Sequence, residues 1–120
     1  MSSQPAAANG NIKQDRVGDI SIVSVAGTVD MITAPKLEAA IADAAASAPP
    51  AVVVDFTAVE FLASAGMGVL VAAHGDLAPA VKLVVVADGP ATSRPLKLVG
   101  IADVLDLFAT LDEALAALQR

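Results

Sequence analysis

The chain has 120 residues, 56% of them apolar but only 2% aromatic, and a formal net charge of −6. That length accommodates one domain with its own core, and so apolar a composition excludes a disordered chain, which could not bury enough surface to offset ordering entropy. Seven basic residues scattered among 13 acidic ones leave no basic footprint of the kind that displaces counterions from nucleic acid, so no direct nucleic-acid contact is expected.

Residues 1–10 are small and polar, with no basic residue before an apolar run. They are expected to form a flexible lead-in rather than a signal peptide, with the domain occupying 11–120. Asn11 to Val17 is a strand candidate, and Gly18-Asp19 supplies turn chemistry before a second strand, Ile20 to Ala26. In that second run Ile20 and Ile22 point one way, Val23 and Val25 the other. Gly27-Thr28-Val29-Asp30 breaks the pattern. Thr33 is positioned to cap a helix whose first turn tolerates Pro35, and Leu37, Ala40, Ile41 and Ala44 give that helix a buried stripe ended by Pro49-Pro50.

Ala51 to Asp55 reads as a strand covered on both faces, followed by a connector. Ser64 to Leu77 reads as a second helix with Met67, Leu70, Val71 and His74 on one side. The apolar run from Leu62 to Ala73 is shorter than the ~20 residues that cross a bilayer, so no membrane span is expected. Lys82 to Ala87 is another buried strand, Ser93 to Val99 a short helix ended by Gly100, and Asp106 to Phe108 a last edge strand. Thr110 and Glu113 match a capping box opening a final helix with Leu111, Leu115 and Leu118, and Arg120 suits its negative end. Strands and helices alternate from residue 20 onward. The expected fold is α/β, with a mixed four- to five-stranded sheet and about four packed helices.

The residues for catalysis are few. There is no cysteine, which excludes disulfides, thiolate metal sites and thiol nucleophiles and fits a cytoplasmic location. The one histidine, His74, falls on or beside the packed face of a helix, so its expected role is structural. Most metal sites and charge-relay triads cannot be assembled from this set. Asp30 and Asp55 are the carboxylates best placed for chemistry, but Asp55 at a strand end reads first as a turn cap. No phosphate-cradling glycine motif is present, Gly66-x-Gly68 lacking both a third glycine and a nearby lysine. No enzyme, cofactor or metal is expected.

Residues 51–71, AVVVDFTAVEFLASAGMGVLV, are the informative stretch. A helix whose first turn holds Ser64, Gly66 and Gly68 forgoes roughly 0.5–1 kcal/mol per glycine relative to alanine. Something must therefore approach its backbone closely, either the neighbouring sheet or a partner. Leu62, Ala63, Ala65 and Met67 surround the serine with apolar surface, which is an interaction signal. The plainer reading makes Ser64 the helix N-cap.

With Gly27-x-Val29-Asp30, Thr33-Ala34-Pro35, the serine segment and Leu98-Val99-Gly100-Ile101 in this order, the chain resembles the STAS domain of bacterial anti-sigma factor antagonists over about residues 12–118. The resemblance implies partner switching. The unphosphorylated antagonist binds an anti-sigma factor, often a serine kinase of the histidine-kinase-like ATPase type, and frees the sigma factor. The kinase phosphorylates the antagonist, and a metal-dependent serine phosphatase reverses this. The family's acceptor is the first serine of Asp-Ser-Ser-Gly, and here the segment is Ala63-Ser64-Ala65-Gly66. The acceptor is present and both flanking polar residues are alanine, which leaves Ser64 as the loop's one hydroxyl. The resemblance thus implies phosphorylation at Ser64 and partner binding by Gly27, Asp30, Leu62, Ala63, Ser64, Ala65, Gly66 and Met67. Two alternatives stay open: a STAS module of a stress-signalling scaffold or transport complex, and a small ligand-binding protein or enzyme using Asp30, Asp55 and the helix start.

Overall fold

The computed structural model describes residues 11–119; the expectations for the lead-in and for Arg120 lie outside them. Five strands form one sheet in the order β1-β2-β3-β4-β5, with β1 (Asn11–Val17), β2 (Ile20–Val29), β3 (Ala51–Leu62), β4 (Lys82–Val86) and β5 (Asp106–Phe108). β1 and β2 pair antiparallel across the Gly18-Asp19 turn, and the other three pairings are parallel. This is the mixed sheet expected. Parallel neighbours require crossovers, supplied by α1 (Ala34–Ala45), α2 (Ser64–Leu77) and α3 (Ser93–Leu98).

Period-two alternation along the strands sorts the core into two layers. Val23, Val25, Val52, Val54, Leu83 and Val85 meet Leu37, Ile41, Leu70 and Leu96 from α1, α2 and α3 on one face. On the other face Ile20, Ile22, Val53, Val84 and Val86 form a smaller cluster with Ala114 of α4 (Leu111–Leu118). α4 lies over the β3–β5 half, Ile20 and Ile22 of β2 are buried beside it, and the same face of β1 is left exposed. A core of valines and small residues is what a chain without Trp or Tyr can build, and close packing recovers in contacts what it lacks in ring area.

Several local expectations change. β2 continues through Gly27–Val29, and β3 continues for seven residues past Asp55 into the segment read as a connector. The cause is two register shifts between Ser24/Ala26 and Gly27/Thr28, after which β2 still pairs Val29 with Leu62. Such bulges disturb the alternation that marks a strand in sequence, so beyond Asp55 the buried residues are Phe56, Val59 and Leu62, three apart. α1 ends at Ala45, before Pro49-Pro50, through a turn in which Ala48 takes a positive φ of 55°. Along α2 the packed stripe is Gly66, Leu70, Ala73 and Leu77, while Val71 is 44% exposed and points away from the core. α3 ends at Leu98, a residue short of the expected boundary, and a 3-10 turn at Ile101–Asp103 follows Gly100. At the start of α4, Thr110 Oγ1 accepts the Glu113 N–H at 3.1 Å as expected. Glu113 returns to the N–H of Ala109, one residue earlier than a standard capping box. Among the described residues no helix is long and apolar enough to cross a membrane.

Candidate functional site

The C-terminal ends of β2 and β3 bring the two chemistry-bearing loops together. Val29 and Leu62 are register partners, and the Ala63 N–H continues the ladder by donating to the Val29 carbonyl at 2.8 Å. Asp30 and Ser64 each lie one residue beyond that bond, so the two residues singled out from separate sequence regions are neighbours at one sheet edge.

Asp30 organises the turn into α1. Its Oδ1 accepts the N–H of Ile32 at 2.9 Å and of Thr33 at 3.1 Å. Thr33 returns the contact: its Oγ1 accepts the Asp30 N–H at 2.8 Å and donates to the Thr28 carbonyl at 3.1 Å. Thr33 holds the N-cap position of α1 as expected, but its side chain makes no cap bond to the helix; only 1% exposed, it holds the loop from beneath while Asp30 closes the turn before the helix. Replacing Thr33 with valine keeps the shape but strands the Asp30 N–H and the Thr28 carbonyl, at a cost of roughly 1–3 kcal/mol. Urea unfolding of Thr33→Val beside wild type measures it, and an unchanged midpoint would show the hydroxyl to be dispensable.

The N–H groups of Thr33 and Ile32 also hold the Asp30 carboxyl below the usual carboxylate range. A folded-state pKa below the unfolded one contributes stability above the unfolded value, near 3.9, which is lost as pH falls through the folded value. The Asp30→Asn variant should accordingly show a shallower loss of stability than wild type as pH falls below about 4. Denaturation midpoints from neutral pH into acid test this, and parallel curves would remove Asp30 from the acid response.

Ser64 is exposed and opens α2. The N-cap is Ala63, in extended conformation, and no side chain caps the helix, so the plain N-cap reading of Ser64 does not hold. The N–H groups of Gly66 and Met67 both turn to the Ala63 carbonyl, at 3.0 and 3.3 Å. Helix geometry leaves those of Ser64 and Ala65 without intrahelical partners. With no acidic residue in the first turn, the positive end of the helix dipole is uncompensated beside the serine hydroxyl.

The remaining candidates divide by burial. Gly27, Asp30, Ala63, Ala65 and Met67 are half-buried around Ser64, whereas Leu62 and Gly66 are buried. Gly27 sits at the register shift with φ +85°, a conformation only glycine adopts without strain. For Gly66 the close approach comes from the sheet: an added Cβ would lie 2.5 Å from Val29 Cγ1 and 2.8 Å from Leu62 Cδ1. Gly68 meets nothing within 4 Å. His74, ten residues along α2, lies about 15 Å from the site and lines a separate hollow with Pro79, Lys82 and Asp106. Asp55 is not at a strand end capping a turn, as expected, but inside β3 beside the register shift, where its Oδ1 accepts the N–H and hydroxyl of Thr57.

The sequence does not single out three further side chains at this end of the sheet. Met31 is 77% exposed, Ile32 66% and Phe61 56%, and they flank Asp30 and Leu62 at this same edge. Bulky apolar residues beside a turn, off any amphipathic stripe, were the available signal. Neighbouring exposed apolar groups of this kind mark contact surfaces. Among the described residues no group of three or more His, Cys, Asp or Glu could hold a metal ion.

Known proteins share this fold. The STAS domain family matches residues 11–114. The anti-sigma-F factor antagonist RsfB of Mycobacterium tuberculosis is 41% identical over 100 residues, 83% of this chain and 82% of that protein. The crystal structure of an anti-sigma factor antagonist from Mycobacterium paratuberculosis superposes with a TM-score of 0.90 at 42% identity, covering 98% of this chain and 100% of that one. A more distant structure, from Thermotoga maritima, matches in fold with a TM-score of 0.82 at 17% identity, over 91% of this chain and 95% of that one. From the family match together with the shared fold, the chain belongs to the STAS domain family.

Proposed function

We propose that this protein is an anti-sigma factor antagonist, a binding protein rather than an enzyme, that docks its partner through the edge formed by the ends of β2 and β3 and is switched off by phosphorylation at Ser64. The observation that carries the reading is Ser64 itself. It is an exposed hydroxyl on an uncapped helix start, at the same end of the sheet as the exposed Met31, Ile32 and Phe61. The relatives named as antagonists, at 41% and 42% identity, support the same role.

The partner is an anti-sigma factor that acts as a serine kinase of the histidine-kinase-like ATPase type, with a serine phosphatase resetting the switch in the cytoplasm. Phosphorylation adds about −1.5 to −2 charges. At a helix N-terminus this charge meets free N–H groups and a favourable dipole, so the domain stays folded. The burden falls on the interface, where the same charge would be buried among apolar side chains.

A pull-down from native lysate tests the reading, with wild-type protein beside a Phe61→Asp, Met31→Asp variant and captured proteins identified by mass. Wild type should retain an ATPase-like anti-sigma factor and the variant should lose it. Equal capture would move the docking surface elsewhere, and capture of no anti-sigma factor by wild type would contradict the proposal.

A further inference from the structure

We propose that β1 is a self-complementary edge through which two copies of the chain join their sheets, antiparallel and centred on Gln14. Among the described residues β1 pairs only with β2 and ends the sheet. Which of its backbone groups face outward follows from the hairpin. Gly18-Asp19 is a two-residue loop with Gly18 at φ +61°, and Val17 faces Ile20 across it. Residues flanking such a loop exchange both hydrogen bonds, and antiparallel pairs then alternate. Val17, Asp15, Lys13 and Asn11 therefore bond to β2, while Ile12, Gln14 and Arg16 aim their N–H and carbonyl groups away from it. An independent observation agrees: the Arg16 N–H is accepted by the neighbouring Asp15 carboxylate at 3.1 Å.

A two-fold axis at Gln14 satisfies all of these groups at once. Gln14 faces Gln14 of the second copy, Ile12 faces Arg16 and Arg16 faces Ile12, each pair exchanging two bonds. In the same register Lys13 stands opposite Asp15, and Asp15 opposite Lys13. Both project from the face away from α1, since Ile12 packs against the core while Gln14 and Arg16 bond Asp43 and Ser47 of the α1 region. Cross-strand opposite charges are favourable and like charges unfavourable. Centring on Arg16 would set two arginines face to face, and centring on Ile12 would set Lys13 opposite the uncharged Asn11. Edge strands commonly carry charges to prevent pairing, but a uniform sign achieves that, whereas here the signs alternate so that a second copy complements the first.

The contact is one strand wide, so the dimer is weak, dissociating in the range of about 10–1,000 μM. The axis points the C-terminal strand ends of the two copies in opposite directions, which leaves both Ser64 edges open. The inference is independent of the proposed function, and either can fail alone.

Sedimentation equilibrium of the full chain over that concentration range tests it, with four variants. Gln14→Pro should be monomeric; because the Gln14 N–H faces outward, proline removes no bond to β2, and circular dichroism checks its fold. Lys13→Asp and Asp15→Lys should each weaken association roughly tenfold, and the double swap should restore it. Amide exchange should slow with concentration at Ile12, Gln14 and Arg16 only. A wild type that stays monomeric throughout overturns the proposal, as does a dimer indifferent to Gln14→Pro. If that variant fails to fold, a double swap that does not recover the loss of the single changes overturns it equally.

Discussion

The Ser64→Glu variant should fold as wild type does and bind its anti-sigma factor more than a hundredfold less tightly. Both halves follow from where the residue sits. At the first position of an uncapped helix with no acidic residue in its first turn, a carboxylate adds about 0.3–1 kcal/mol of favourable dipole interaction. Urea midpoints should therefore be equal or slightly raised. Met31, Ile32 and Phe61 are exposed at the same end of the sheet, and placing a charge near such groups when a partner closes over them is opposed unless the partner supplies a counter-charge. A penalty of only about 3 kcal/mol already exceeds a hundredfold in affinity. Ser64→Ala, which brings no charge, should keep the partner and lose only the ability to be switched. Calorimetric titration against the purified anti-sigma factor separates the two variants. Equal affinities for Ser64→Glu and wild type would show that the interface does not cover Ser64.

The paired substitutions Gly66→Ala and Gly68→Ala should shift stability in opposite directions, although they lie two residues apart in one helix. At Gly68 an added methyl meets open space, so the helix gains the roughly 0.5–1 kcal/mol by which alanine exceeds glycine. At Gly66 the same methyl would fall 2.5 Å from Val29 Cγ1 and 2.8 Å from Leu62 Cδ1. Leu62 can rotate its end away, but the β-branched Val29, fully buried, has little freedom at χ1. Overpacking of this kind costs about 1–3 kcal/mol, enough to outweigh the propensity gain. Because the Val29 carbonyl accepts the Ala63 N–H bond that aligns Asp30 with Ser64, the Gly66 variant should lose partner affinity along with stability. Thermal unfolding of both proteins decides the matter: a stabilised Gly66→Ala would mean that α2 shifts freely on the sheet.

Much of this architecture was legible because its signals are local. The Gly18-Asp19 turn, the valine run at 52–54, the bounds of α2 at Ser64 and Leu77, and β5 at Asp106–Phe108 all follow from composition and spacing within a few residues. What escaped depends on long-range register. β2 and β3 run on to Val29 and Leu62 because bulges let their pairing continue after the alternation has lapsed, and no window of a single strand contains that information. The same slip hid Phe61, whose outward direction is fixed by its pairing with Thr28. Thr33 occupies the cap position its residue type suggests, but its hydroxyl turns back to Asp30 and Thr28 instead of to the helix, since the chain first makes a turn at residues 31–33 and only then enters α1. Val71 was placed on the packed face of α2 by spacing alone; the face is centred on Gly66 and Leu70 instead, because the residue without a side chain is the one that sits closest to the sheet.

Sigma release in a purified system bears most directly on the whole account. A preformed complex of the anti-sigma factor with its sigma factor is mixed with the unmodified protein, or with protein phosphorylated at Ser64, and resolved by gel filtration. The unmodified protein should displace free sigma factor into its own peak, and the phosphorylated form should leave the complex intact. A complex that survives an excess of unmodified protein, or one that both forms disrupt equally, would contradict the switch.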